Sequence, residues 1–409
     1  MSSAKRRLST IKVCRGLWLL VFLQVLFFSV ELWGHAAMPH SEPTAKTLGH
    51  FGFAIQVASP AEGPRPRQIP RWPGSLRSWY LPVVRWIQMG ALTLWLGGIG
   101  FLVFIVRPLL AVRSEVREQI LSSRIIRNSG RIVSTSAALF LTTTTVWFFG
   151  HTRVPLLHPL SWGPLPGIIW TTDVGQLSAV QILCAIGLWI VSARLVRPGF
   201  LEKRWGKGQM FYFALLGLMI LVGLGSMAHR MGDAGKGEVL PIAVDWVHLV
   251  VTAIWVGGLC HFLMALAVSR KQDPAPLGFI SELTARFSTI ALYSVLLVIA
   301  TGIYGSWVHI PTWSSFLSLR YGQVLAVKIG LFLGTLLIGV VNRQRAVPAL
   351  AAFPSAPENA IHWSARLRKL VWAEVILGAL ILGAVGVLAT LPSGVRAAQA
   401  TRTAAGRVP

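Results

Sequence analysis

Nine apolar runs punctuate the chain, at 16–33, 81–106, 132–150, 176–196, 209–228, 242–268, 287–308, 323–341 and 370–391. Each is close to the roughly 20 residues a helix needs to cross a bilayer, and short polar stretches separate most of them. The pattern predicts an all-α polytopic membrane protein. The first run follows Lys5, Arg6, Arg7, Lys12 and Arg15, so residues 1–34 read as a signal peptide or an uncleaved signal anchor. A cut after Gly34 would leave Leu32 at the −3 position, which suits signal peptidase poorly and favours the anchor. Residues 35–80 then form an extracytoplasmic loop whose Pro/Arg-rich stretch, 64–73, reads as an extended linker.

The remaining runs fall into two sets of four. RWIQMGALTLWLGGIGF in the second run is repeated as DWVHLVVTAIWVGGLCH in the sixth, at an offset of 160 that matches Trp86, Trp95, Gly97 and Gly98 with Trp246, Trp255, Gly257 and Gly258. VGQLSAVQI at 174–182 is echoed by YGQVLAVKI at 321–329, and LGLMILVGLG at 216–225 by LGALILGAVG at 377–386. Residues 81–228 and 229–392 therefore read as two parallel four-helix repeats forming an eight-helix core, with a tail at 393–409. Such a repeat implies a pseudo-twofold axis along the membrane normal.

Composition agrees with the pattern. Of 409 residues 54% are hydrophobic and 13% charged, against about 25% charged in soluble domains. The formal net charge is +24, from 38 Lys+Arg and 14 Asp+Glu. With the N-terminus inside, 24 of the basic residues fall on the inner side, 12 on the outer, and Arg85 and Lys328 lie within spans. The excess thus records topology under the positive-inside rule and gives no support to nucleic-acid binding. It places the N-terminus in the cytoplasm, if uncleaved, and the C-terminus outside. Cys14, Cys184 and Cys260 form no CxxC pair, so neither a disulfide framework nor a zinc finger is available. No Walker A or Asp-Lys-Thr-Gly motif is present, so any transport is not self-driven by ATP, and no enzymatic activity is expected.

Ionisable residues inside a membrane are costly and mark candidate sites. Asp245 and His248, three apart, share a face near the outer end of the sixth run. His229 ends the fifth run on the same side, between Met227 and Met231. His248 stands where the first repeat has Gln88, Asp245 where it has Arg85, and His229 opposite Thr390, so these are positions where the copies diverge. Imidazole, thioether and carboxylate together suit copper; Asp245 would be a ligand, or a partner that fixes the His248 tautomer. The plainer reading has the histidines as interface residues and the methionines as packing. Most histidines, His35, His40, His50, His151, His158 and His309 among them, fall outside or at the outer boundary. His261, about 20 Å further along the helix from His248, is an inner waypoint with Cys260 and Met264, or a packing residue. Lys328 would neutralise Asp245 or snorkel, and Glu374 would pair with Arg366, Arg368 or Lys369. Two other readings stay open: a b-type cytochrome with haem held by His pairs, and an assembly partner of a copper enzyme.

The series Asp245-x-x-His248, Trp255-x-Gly257-Gly258, Arg286-Phe287-Ser288, Thr301-Gly302, Tyr321-Gly322 with Lys328, Asn342-Arg343, Glu374 and Leu391-Pro392 resembles the CopD family of copper resistance and copper transport membrane proteins, over about 81–392. The resemblance implies a bacterial inner-membrane protein, usually of eight spans, that moves copper between periplasm and cytoplasm, often inward, with a CopC-type periplasmic carrier as partner. His35-Ala36-x-Met38-x-x-Ser41-x-Pro43 is similar to the mature start of those carriers, whose N-terminal histidine binds Cu(II). The 46 residues of 35–80 are too few for a CopC β-sandwich; a vestigial site at His35 with His40 or His50 is what the likeness implies.

Overall fold

A computed structural model describes residues 74–110, 116–152, 163, 165–171, 173–195, 239–270, 276–309, 316 and 319–391. The first and fifth apolar runs, the 35–80 loop with His35 and His40, the hairpin with Met227, His229 and Met231, and the 393–409 tail lie outside the described residues. Six of the described helices are long and apolar enough to cross a membrane: α1 (Tyr80–Leu110), α2 (Glu118–Phe149), α4 (Ala243–Ser269), α5 (Leu277–Trp307), α6 (Arg320–Ala351) and α7 (Pro357–Leu388). Between α2 and α4 lies α3 (Asp173–Leu195), with a shorter apolar stretch at Ser178–Ala193. The protein is an all-α multi-pass membrane protein. These helices belong to the compact unit Tyr80–Pro409; of the other unit, Met1–Trp79, residues 74–79 are described.

Several helices outrun their apolar cores. The third run was expected at 132–150, yet its helix spans Val116–Thr152, and the ninth, expected at 370–391, spans Pro357–Leu388. Hydropathy registers only the part within lipid. Arginine, lysine and glutamate are good helix formers, so the helix continues past the membrane while buried anchors such as Leu121, Ile125, Ala360 and Leu367 hold it to its neighbours.

Two helices are central. In the most apolar stretches of α1 and α4, 72% is buried, against 11–39% in the other four spans. They meet at glycines: a β-carbon on Gly257 would collide with the Thr93 carbonyl, and one on Gly97 with the backbone of Gly257. Close backbone approach of this kind is how small residues drive helix association in lipid. The contact sets matching positions of the two sequence copies against each other. Around this pair α2 packs along α3, α6 along α7, and α5 along α4.

Interhelical hydrogen bonds tie the bundle together, as they must where no water competes. Trp95 Nε1 donates to Ser192 Oγ of α3 at 2.6 Å, and Trp86 Nε1 to the Ala379 carbonyl of α7 at 3.0 Å. Among the described residues three five-residue π turns interrupt the α geometry, at Leu102–Val106 in α1, Ala253–Gly257 in α4 and Asn342–Ala346 in α6. Such wide turns reset the phase of the side chains on either side. The one in α4 falls between His248 and His261.

Candidate metal site

Asp245 and His248 project from the first turns of α4, half-buried and one turn apart. Opposite them runs α5. His248 Nδ1 lies 2.8 Å from Thr301 Oγ1. The Thr301 hydroxyl is itself 2.6 Å from the Leu297 carbonyl of its own helix. A hydroxyl has one proton, and that proton goes to Leu297, so Nδ1–H is the donor to Thr301. The Val298 carbonyl is a further acceptor close to the ring. This fixes the tautomer: Nε2 carries the lone pair, and it makes no hydrogen bond among the described residues. Fixing one ring nitrogen so that the other presents its lone pair is the usual support of a metal-binding histidine.

The wall of α5 here is unusually bare. A β-carbon on Gly302 would stand 3.6 Å from His248 Cε1, and one on Gly305 3.9 Å from Asp245 Oδ1. Glycines thus form the part of α5 nearest the imidazole and the carboxylate. Lys328, half-buried in α6, is near enough for its charge to act on His248. Asp245 and Lys328 each take part in further interactions.

The matching positions of the first half carry the same hydrogen-bond pattern with different chemistry. Gln88, which corresponds to His248, donates from Nε2 to Thr144 Oγ1 on the following helix at 2.8 Å, and Thr144 back-bonds to the Phe140 carbonyl at 2.7 Å. Where the second half has Asp245, the first has Arg85. Its Nη1 donates to Gln88 Oε1 at 2.8 Å, and its guanidinium lies 3.8 Å above the Trp147 ring. A buried arginine and an amide thus stand where the second half has a carboxylate and an imidazole.

His261 is fully buried at the α1–α4 crossing. Its Nε2–H donates to the Leu94 carbonyl at 3.1 Å, its ring stacks 6.0 Å from that of Phe101, and its Nδ1 is buried without a hydrogen-bond partner. His248 and His261 stand thirteen residues apart on α4, about 20 Å along the helix, so they do not form a bis-histidine pair. Glu374, 5% exposed, turns into the α6–α7 contact and accepts a 3.3 Å hydrogen bond from Asn342 Nδ2. The salt bridge expected with Arg366, Arg368 or Lys369 gives way to this pairing. Arg366 lies over Trp363 instead, and Lys369 is exposed. Glu374 points inward between the helices, while Arg366 and Lys369 are exposed on α7. Among the described residues no three His, Cys, Asp or Glu side chains cluster to hold a metal; His229, Met227 and Met231, the other expected ligands, lie outside them.

Sequence reasoning named Asp245, His248, Lys328 and Glu374 but gave no role to Thr301, Thr144 or Asn342. The signal for the threonines was present, since each stands in the helix that follows its copy of the Trp-x-Gly-Gly motif.

Residues 281–388 match the CopD family, described as copper resistance protein D. The matched segment runs from within α5 to the end of α7, and so includes Thr301, Gly302, Lys328, Asn342 and Glu374, while Asp245 and His248 precede it. A relative named "Copper transport protein CutJ", from Bacillus subtilis (strain 168), is 26% identical over 189 residues, 44% of this chain and 33% of that protein. The chain therefore spans about a third of the length of the curated relative it matches. No solved structure matches the chain.

Proposed function

We propose that this chain, whose residues 281–388 are of the CopD type, transports copper across the bacterial inner membrane, from periplasm to cytoplasm, and so contributes to copper homeostasis. The observation that carries the reading is the His248–Thr301 bond, which leaves the Nε2 lone pair directed away from its anchor, one helical turn from a carboxylate. A neutral imidazole with a free Nε2 is a ligand for either oxidation state of copper. His248, Asp245 and His229 would be the primary ligands, and Met227 and Met231 would favour Cu(I) through their thioethers.

Asp245 supplies the charge that offsets the cost of a cation at this depth. Lys328 opposes it: a fixed positive charge beside the ligand keeps the site from holding its cargo too tightly, and release is as necessary to transport as capture. The first half, with Arg85 in place of Asp245, would bind no cation, which gives one site per chain. A CopC-type periplasmic protein is the donor the family resemblance suggests. Equilibrium dialysis of the purified chain with copper tests the site itself. One copper per chain is expected, and full retention of that copper in a His229→Ala/His248→Ala variant would overturn the ligand assignment.

A further inference from the structure

At the end of α2 that carries its basic residues, a cavity of about 220 Å³ opens between α2 and α4, lined by Arg124, Arg127, Asn128, Arg131 and Val268. Relative to Arg124 the other α2 residues stand three, four and seven positions on, which puts all four on one helix face. The three arginines are exposed and form no ion pair among the described residues. Glu118, the acid of α2 among them, lies six residues before Arg124 and so on another face of the helix. Three guanidinium groups on one face repel one another, and an anion in the cavity relieves that repulsion.

Beyond Arg131 the same face changes character. Thr135 and Thr142 turn their hydroxyls back onto their own helix, donating to the Arg131 and Ala138 carbonyls at 2.9 and 3.0 Å, and Leu139 between them is 43% exposed. With their hydroxyls spent, the threonines present methyl groups outward. The cradle is therefore continuous with an apolar strip running towards the middle of the membrane.

We propose that this cradle binds the phosphate of an anionic phospholipid. Arginine forks match phosphate oxygens two at a time, Asn128 adds an amide donor, and the acyl chains lie along Thr135, Leu139 and Thr142. Free phosphate shares the headgroup chemistry but leaves the apolar strip without a purpose. The site is independent of the copper reading.

Native mass spectrometry of the full-length protein, titrated with phosphatidylglycerol or phosphatidylcholine, tests this. Phosphatidylglycerol is expected to be retained in preference. An Arg124→Gln/Arg127→Gln/Arg131→Gln variant should lose at least about tenfold in apparent affinity, and Arg127→Gln alone, which keeps two of the charges, should lose part of it. An Arg345→Gln/Arg366→Gln/Lys369→Gln control removes as much charge outside the cradle and should bind as the parent does. Equal loss in that control, undiminished binding in the cradle variants, or displacement of the lipid by millimolar inorganic phosphate would each overturn the proposal, the last in favour of a free-anion site.

Discussion

The 2.8 Å bond from His248 Nδ1 to Thr301 Oγ1 joins α4 to α5 and decides which nitrogen of the histidine is left to act. Gln88 and Thr144 make the corresponding bond in the first half. The scaffold is thus kept in both copies, while the group that could bind a cation is present in only one of these two positions.

If Thr301 anchors the ring, removing its oxygen should release it. Thr301→Val keeps the shape and deletes the acceptor, and is expected to weaken copper binding about 10- to 100-fold. Thr301→Ser keeps the oxygen and should stay within about threefold of the parent on the same scale. Competition with a chromophoric Cu(I) chelator measures both; a parent-like Thr301→Val beside a weakened Thr301→Ser would mean that Thr301 acts by packing alone.

Lys328 should have the opposite sign. Replacing it with Gln removes a positive charge acting on the site, so affinity for a cation rises, by roughly threefold to tenfold for a partly screened charge. The same chelator titration reads it. A weaker Lys328→Gln site would place the lysine as a structural support of Asp245 rather than as an opposing charge.

The α1–α4 crossing makes a prediction about stability. Gly257→Ala drives a methyl group into the Thr93 carbonyl, a backbone atom that cannot step aside, and a strained contact of this kind costs about 1–3 kcal/mol. Gly330 in α6 has nothing within 4 Å of its would-be β-carbon, so Gly330→Ala should be neutral or stabilising through helix propensity. Thermal unfolding in detergent, followed by circular dichroism, should lower the Tm of the first variant only.

Asn342 and Glu374 form a buried pair, and the Asn342 Oδ1 atom has no partner. Asn342→Leu strands the carboxyl group and should cost about 1–3 kcal/mol. Adding Glu374→Leu removes the stranded group and should restore much of the loss, because replacing both partners by apolar groups is nearly neutral. A double variant no more stable than Asn342→Leu alone would contradict the pairing.

The spans and the face shared by Asp245 and His248 were legible because hydropathy and helical period depend only on local sequence. So was the Gly97–Gly257 match, since a duplicated motif shows as self-similarity. The reach of the helices was not, because Arg124, Arg127 and Arg131 are polar yet remain helical beyond the lipid. Partners were not legible either. Thr301 stands 53 residues from His248, and Asn342 stands 32 from Glu374, so only packing could pair them. Charge alone suggested Arg366, Arg368 and Lys369 for Glu374; an inward rotamer and an amide on α6 prevailed. The π turn at Ala253–Gly257 carries no pattern that separates it from an ordinary apolar run.

Copper flux into proteoliposomes tests the central claim most directly. Vesicles holding the parent protein should accumulate copper well above protein-free vesicles, and His248→Ala should bring that uptake down to the protein-free level while the protein remains folded. Uptake by His248→Ala equal to that of the parent would contradict the account.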